Sequence, residues 1–441
     1  MMRQKNNYVA AIDIGTTKIV SLIGKVNENN RLEVLGMSKS ISKGVKRGVV
    51  LNIEETVSAI RQTIEEAQKQ SGVEFTDVFV GIAGQHIKSI KNRGYINLGK
   101  DRDEIFQKDI DALIVDMYKI PIDLGEEIIH VLPQNFIVDS ETGVKNPVGM
   151  SGRRLEANFH IVIGQIASAK NIEKCVNRVG LRVNQLILEP LASSAAVLTD
   201  DEKEAGVALV DIGGGTTDVA VFYDDSIRHT AVIPFGGNVV TKDIKEGCKI
   251  LHRQAEALKT QFGSALGDLA PDDKVVTIPG INGRDPKEIS FKNLAYIIQL
   301  RMEEIIDAVM FEIENSGCLD KLSAGIVLTG GGALLRHLSQ LVRFHTGLDV
   351  RIGYPIEYLA GENNEEINKP QFATSVGLLL KGWELMNKTG EGKMSETIVI
   401  GEDEEEAILA EADENRIGSG IIAAFKRRIT DIFEEKGADM E

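Results

Sequence analysis

Two stretches of the chain share one shape: an apolar run, a turn of Gly and Thr, and a second apolar run. YVAAIDIG (from Tyr8) and IVSLIGKV (from Ile19) make the first, and ALVDIGGGTTDVAVFYDD (from Ala208) the second. Short apolar runs bounded by turn residues predict buried strands joined as hairpins. Laid over each other, Asp13-Ile14-Gly15-Thr16-Thr17 matches Asp211-Ile212-Gly213 and Thr216-Thr217, with two extra glycines in the second copy. The two aspartates lie 198 residues apart. One strand–turn–strand unit repeated at that distance predicts two related α/β domains.

Helical periodicity fills the intervals at 54–69, 169–179, 242–262, 294–316 and 333–346. Strands alternating with such helices predict sheets covered by helices on both faces. The stretch 86–165 differs, with three strand-like runs around one helix at 104–118, and is expected to form an α+β insert in the first domain. After Asn387 the pattern dissolves, and the folded body is expected to end there.

Composition sharpens this picture. The chain has 441 residues, enough for two to four domains, and 43% of them are apolar, which excludes wholesale disorder. No apolar run approaches the roughly 18 residues that span a bilayer, and the polar N-terminus is not read as a signal peptide. Cys175, Cys248 and Cys318 are scattered and odd in number, as expected of a reducing compartment without a disulfide framework. The net charge of −16 disfavours nucleic acid as a partner. Eight acids and no base lie between Glu402 and Asn415, a block that self-repulsion should keep extended as a linker.

The chemistry gathers at the turns. Gly15 lets the backbone approach a phosphate, Thr16 and Thr17 can donate to it, and Lys18 supplies a point charge. Asp13 is placed to hold a hydrated magnesium ion. Gly213, Gly214 and Gly215, followed by Thr216 and Thr217, offer a matching backbone nest from the opposite side. A third cluster, Gly330, Gly331 and Gly332, follows the apolar run AGIVLT and precedes the helix expected from Ala333. Such a junction brings backbone close to a flat ligand.

Beyond the linker, IGSGIIAAFKRRITDIFEEKG (from Ile417) places Ile421, Ile422, Phe425, Ile429, Ile432 and Phe433 within about 120° of a helix surface. Lys426 and Arg428 flank that arc, and with Arg427 could meet anionic headgroups. Standing beyond a flexible acidic linker with nothing after it to pack on, this helix is expected to lie on a membrane, the alternative being a helix docked on the protein's own body.

The two loops, ILEPLASSAA (from Ile187) and VLTGGGALL (from Val327) resemble the nucleotide-binding signature of the actin-like ATPase superfamily. Within it, KGVKRGVVLNI (from Lys43), NPVGMSGRRLE (from Asn146), AEALK (from Ala255) and the terminal helix resemble the FtsA family of bacterial cell-division proteins. The resemblance implies a two-lobed actin-like (ribonuclease-H-like) α/β fold with duplicated domains and a C-terminal amphipathic helix on a disordered linker. Lobe 1 would comprise 7–85, 166–203 and 350–386 with the insert 86–165. Lobe 2 would comprise 204–246 and 314–349 with an insert at 247–313. The linker would be 387–416 and the membrane helix 417–437.

It further implies ATP and magnesium between the lobes, with Asp211 near the metal and Glu189 positioning the attacking water. Gly330 to Gly332 would lie against the adenosine, and Glu256 and Lys259 would contact its sugar and base. The implied role is a polymer on the cytoplasmic face of the inner membrane at the division septum. There it would tether FtsZ through that protein's C-terminal peptide and recruit other divisome proteins. ATP would act mainly as a conformational and polymerisation ligand, with slow hydrolysis permitted. The alternatives are a sugar or carboxylate kinase of the superfamily, which would not need a membrane helix, and a pilus-assembly or MreB-like scaffold. A DnaK-type chaperone is disfavoured, because no peptide-binding domain follows Asn387.

Overall fold

The computed structural model describes residues 8–27, 31–99, 102–280, 285–355, 359–360 and 365–391. The chain divides into a unit ending at Met386 and a second from Asn387 onward. Helix Ala373–Glu391 runs past Asn387 into the expected linker, whose residues 392–416 lie outside the described residues, as do the proposed membrane residues Ile421, Ile422, Phe425, Lys426, Arg427, Arg428, Ile429, Ile432 and Phe433.

Two five-stranded sheets repeat one topology. In the first, Val9–Ile14 pairs antiparallel with Lys18–Val26, which pairs antiparallel with Leu32–Ile41. On its other side Val9–Ile14 runs parallel to Asp77–Ile82, itself parallel to Arg182–Leu188. The second sheet repeats this with Val207–Ile212, Thr217–Tyr223, Ser226–Ile233, Ile326–Thr329 and Val350–Ile352.

Register corrects the sequence alignment of the hairpins. Ile14 pairs with Ile19 and Ile212 with Thr217, so each turn holds four residues and the second has no insertion. Thr16 and Thr17 therefore correspond to Gly214 and Gly215, Lys18 to Thr216, and Val20 to Asp218. The repeated Thr-Thr letters had suggested a shifted match.

Strand alternation builds the layers. Ala10, Ile12 and Ile14 face helices Ile53–Ser71 and Ile166–Asn177, whereas Val9 and Ala11 face inward. In the second sheet Ala208, Val210 and Ile212 face the outer helices, and Val207 and Leu209 face inward. Between the inward faces lie helices Glu189–Val197 and Ala373–Glu391, contributing Ala192, Ala196, Val376, Leu378 and Leu379 to a shared core. The order is thus helix, sheet, helix, sheet, helix. With a period of two, Asp13 shares the inward face of Val9 and Ala11, and Asp211 that of Val207 and Leu209. Both aspartates turn to the central helices.

Two helix expectations fail. The helix expected over 242–262 is two, Gly237–Cys248 and His252–Phe262, because Lys249 takes a left-handed conformation (φ 52°) that ends the first. The glycines at 330–332 lead not into a helix at Ala333 but into a 3-10 turn, Gly331–Leu334. The helix proper, Leu338–Thr346, starts after His337, also left-handed (φ 62°).

Residues 88–165 fold a four-stranded sheet whose inner face (Leu155, Ala157, Phe159, Ile161) is covered by helix Gln107–Met117. This sheet docks on the edge strand Ser226–Ile233. Ser89 Oγ donates to Thr230 O at 3.1 Å, and Gln134 Nε2 to Ile227 O at 2.6 Å. Lys145 bridges Asp224 and Asp225 at 2.8 Å each. A sheet edge that would otherwise present open backbone groups is covered.

Candidate nucleotide site

The two four-residue turns face each other. A Cβ on Gly214 would lie 2.3 Å from Thr17 Cγ2, and one on Gly215 would lie 2.5 Å from Thr16 Oγ1. Only glycine fits opposite the threonines. Thr16 is itself held by the segment KGVKRGVVLNI, where the Gly48 N–H donates to its Oγ1 at 3.2 Å. Gly48 has φ 74° and packs on the Ala83 carbonyl, so a side chain there would be strained and would clash.

Four acids gather beneath the turns. Asp13, Asp211 and Asp218 are buried and Glu189, the first residue of its helix, partly so. Burial, then the charges of Asp13, Asp218 and Asp211, push the Glu189 carboxyl well above the ordinary carboxylate range. Burial and Asp211 do the same to Asp218, and its Oδ1 is buried without a hydrogen-bond partner. Burial raises Asp13 and Asp211 as well, opposed at Asp13 chiefly by Lys18 and at Asp211 chiefly by the Ser193 hydroxyl. Lys18 donates to the Gln371 carbonyl and sits 4.2 Å from the Phe372 ring centre. Its pKa is lowered by burial, which outweighs the pull of Asp13 and Asp211. Ionisation of these crowded acids is opposed by burial and by their mutual repulsion, both of which a bound cation would relieve. Among the described residues no group of three or more His, Cys, Asp or Glu could itself hold a metal ion.

The second turn leans on the start of helix Gly237–Cys248. Gly237 N and Asn238 N donate to the carbonyls of Gly213 and Gly214 at 2.9 and 2.8 Å. A Cβ on Gly236 would lie 2.6 Å from Gly213 O. Lys259 Nζ donates to Gly237 O, Thr241 Oγ1 and Glu256 Oε2 at 2.9, 2.9 and 2.8 Å. Glu256 and Lys259 thus reach the second turn through Gly237. Gly330 (φ 80°) abuts Asp211, and Gly332 abuts Ile212: an added Cβ would lie 2.3 Å from Asp211 Oδ1 and from Ile212 Cγ2 respectively. Gly331 has open space around it.

Sequence reasoning missed Asp218, Gly48, Gly236 and Gly237. The signal for Asp218 was a charge between residues patterned as a buried strand. Gly236-Gly237 before a helical period was a comparable signal. His337 Nδ1 pairs with Ser264 Oγ at 2.9 Å and His345 Nε2 with Asp307 Oδ1 at 2.6 Å. All three cysteines are free.

Comparison with solved structures places this architecture among actin-like proteins. A chain of a PilM–PilN type IV pilus biogenesis complex superposes with a TM-score of 0.61 at 15% identity, covering 86% of this chain and 99% of that one. MreB5 of Spiroplasma citri bound to ADP gives 0.55 at 15% identity, covering 88% and 100%. At such identities the likeness concerns the fold.

Sequence comparison narrows the class. Residues 84–163 match the SHS2 domain inserted in FTSA, and 208–377 match cell division protein FtsA. Cell division protein FtsA of Pseudomonas aeruginosa is 41% identical over 379 residues, covering 86% of this chain and 90% of that protein. The Neisseria meningitidis protein is 38% identical over 433 residues, covering 98% and 100%. That of Escherichia coli K12 is 36% identical over 385, covering 85% and 90%. The chain belongs to the FtsA family of cell division proteins.

Proposed function

We propose that the chain binds ATP with magnesium between its two sheets and uses it to set the conformation in which it polymerises. The observation that carries this reading is the pair of Gly/Thr turns facing each other above four acids. Backbone N–H groups of Gly15, Gly214 and Gly215, with Thr16, Thr17 and Thr216, would hold the phosphates, and Lys18 would supply the positive charge. Gly213 would shape the turn through its own N–H bond to Thr216 O at 2.9 Å. Asp13 and Asp211 would hold magnesium through water, and Gly330 to Gly332, Glu256 and Lys259 would bound the adenosine. Magnesium supplies charge neutralisation at the phosphates. Glu189, raised in pKa, keeps its proton more readily than an ordinary glutamate. In this reading it would orient the attacking water, with slow hydrolysis permitted beside the ligand role of ATP. Calorimetric titration with ATP in magnesium tests the cleft, and no heat of binding would reject it.

The same reading extends to the division septum, at the cytoplasmic face of the inner membrane. There residues 417–437 would anchor the polymer to anionic lipid, and 247–313 would take the C-terminal peptide of FtsZ. Leu300 and Phe311, 64% and 60% exposed, support the second point. Eleven residues apart on helix Phe291–Ser316, they fall within about 20° on one face. Chemical-shift mapping that placed the peptide on 86–165 would overturn it. Electron microscopy on lipid monolayers with ATP tests polymerisation, and bare monolayers would count against it.

A further inference from the structure

The last described helix begins with two hydroxyl side chains set between the sheets. Ser375 Oγ donates to Asp13 Oδ2 at 2.7 Å, and Thr374 Oγ1 to Asp211 Oδ2 at 3.1 Å. Ser193 Oγ, on the other central helix, donates to the same Asp211 oxygen at 2.7 Å and lies 3.0 Å from Thr374 Oγ1. At both aspartates these bonds fall on Oδ2. Oδ1 is left beside Gly15 in one case and Gly330 in the other.

The residues just before these hydroxyls hold the rest of the cleft. Pro370 O accepts from Gly330 N and from Thr329 Oγ1, each at 3.2 Å. Gln371 O accepts from Lys18 Nζ, and Phe372 lies under the same ammonium. Six consecutive residues, 370–375, therefore touch the first turn, the third glycine cluster and an aspartate from each sheet.

We infer that Thr374 and Ser375 are positioning residues that fix the Asp211 and Asp13 carboxylates with one oxygen committed and the other free for a hydrated divalent cation. The inference rests on the nucleotide reading above. Without its hydroxyl, Asp13 has another strong partner nearby in Lys18, and a carboxylate drawn to that ammonium no longer presents the same oxygen. The two aspartates belong to different sheets but are held by adjacent residues of one helix. The start of that helix thus ties the two aspartates to each other, with Ser193 as a second holder of Asp211.

The test is calorimetric titration of the full chain with ATP in magnesium and again in EDTA. Ser375→Ala, and Thr374→Val combined with Ser193→Ala, should each cut the affinity gained on adding magnesium by about tenfold, the scale of one hydrogen bond to a charged group. Thr374→Val alone should cost less, because Ser193 still holds Asp211 Oδ2. Affinity in EDTA should stay within about twofold of the parent, since the turns are untouched. Ser375→Thr and Thr374→Ser, which keep the hydroxyls, should restore most of the gain. If alanine at 375 prevents folding, Ser375→Cys retains the volume with a weak donor, and the same loss is expected. Variants that melt earlier but keep the whole magnesium-dependent gain would overturn the inference and leave the hydroxyls a packing role. A parent chain that binds no ATP in either buffer would instead overturn the nucleotide reading itself.

Discussion

Gly377 meets the backbone of Ala192 where the two central helices cross: a Cβ added to it would lie 1.8 Å from the Ala192 carbonyl oxygen. Even alanine there must push the helices apart. Gly377→Val should destabilise the protein by about 3 kcal/mol or more through overpacking, read as a lower denaturation midpoint. Gly99→Ala is the control, since nothing lies within 4 Å of the added carbon. Equal midpoints for the two variants would show that the crossing gives way freely.

Gly214→Asp brings both a side chain and a charge against Thr17, at the place proposed for the phosphates. Magnesium-dependent ATP binding should vanish, and the melting temperature of the nucleotide-free chain should also fall, because the new side chain must displace Thr17. Undiminished affinity would remove the second turn from the phosphate site.

Glu189 holds its proton to higher pH in the folded chain than its unfolded value of 4.5. The folded state then binds more protons, so this group's contribution is full below the unfolded value and declines as pH rises through the folded one. Glu189→Gln removes that decline. Without nucleotide, the variant's melting temperature should gain on the parent as pH rises from 4.5. A gain independent of pH would mean that the carboxyl titrates normally.

His130 and His160 act in the opposite sense, both lowered to about 4, chiefly by burial. His130 Nε2 accepts the Leu188 N–H at 3.0 Å, a bond that requires the unprotonated nitrogen. The unfolded chain binds more protons here, so stability is full above 6.5 and falls as pH drops toward 4, by about 3 kcal/mol for each residue. His160→Asn should flatten the acid limb of a pH–stability curve; an unchanged limb would exclude His160 as a source.

Phe425→Glu puts a charge in the centre of the apolar arc read from sequence. The loss of several kcal/mol, comparable to the net membrane affinity of one such helix, should abolish sedimentation with anionic liposomes. ATP binding and melting temperature should not move. A large fall in melting temperature would place the helix on the protein body instead.

Much of this was legible because it is periodic. Both hairpins, the insert and the long helix Phe291–Ser316 announce themselves through apolar spacing, and the glycine turns through composition. What stayed hidden depends on single residues against the pattern. Lys249 and His337 adopt left-handed conformations without being glycine, so no letter marked the breaks. Asp218 sits where the first hairpin has Val20, and only register exposes the equivalence. Thr374 and Ser375 precede an apolar helical run and read as ordinary helix-start residues. Their partners are far away along the chain, and spacing carries no trace of them.

Asp13 and Ser375 are separated by 362 residues, and this bears on the birth of the protein. At roughly 5–20 residues per second, a ribosome needs about 20–70 s to pass from one to the other. Throughout that interval the first hairpin exists without the helix that shares the core of Val9, Ala11, Val20 and Leu22. Until Pro370 and the residues after it are made, both Gly/Thr turns lack the segment that touches Lys18, Gly330 and the two aspartates. A chain cut short before Pro370 therefore cannot complete the cleft proposed to hold the nucleotide.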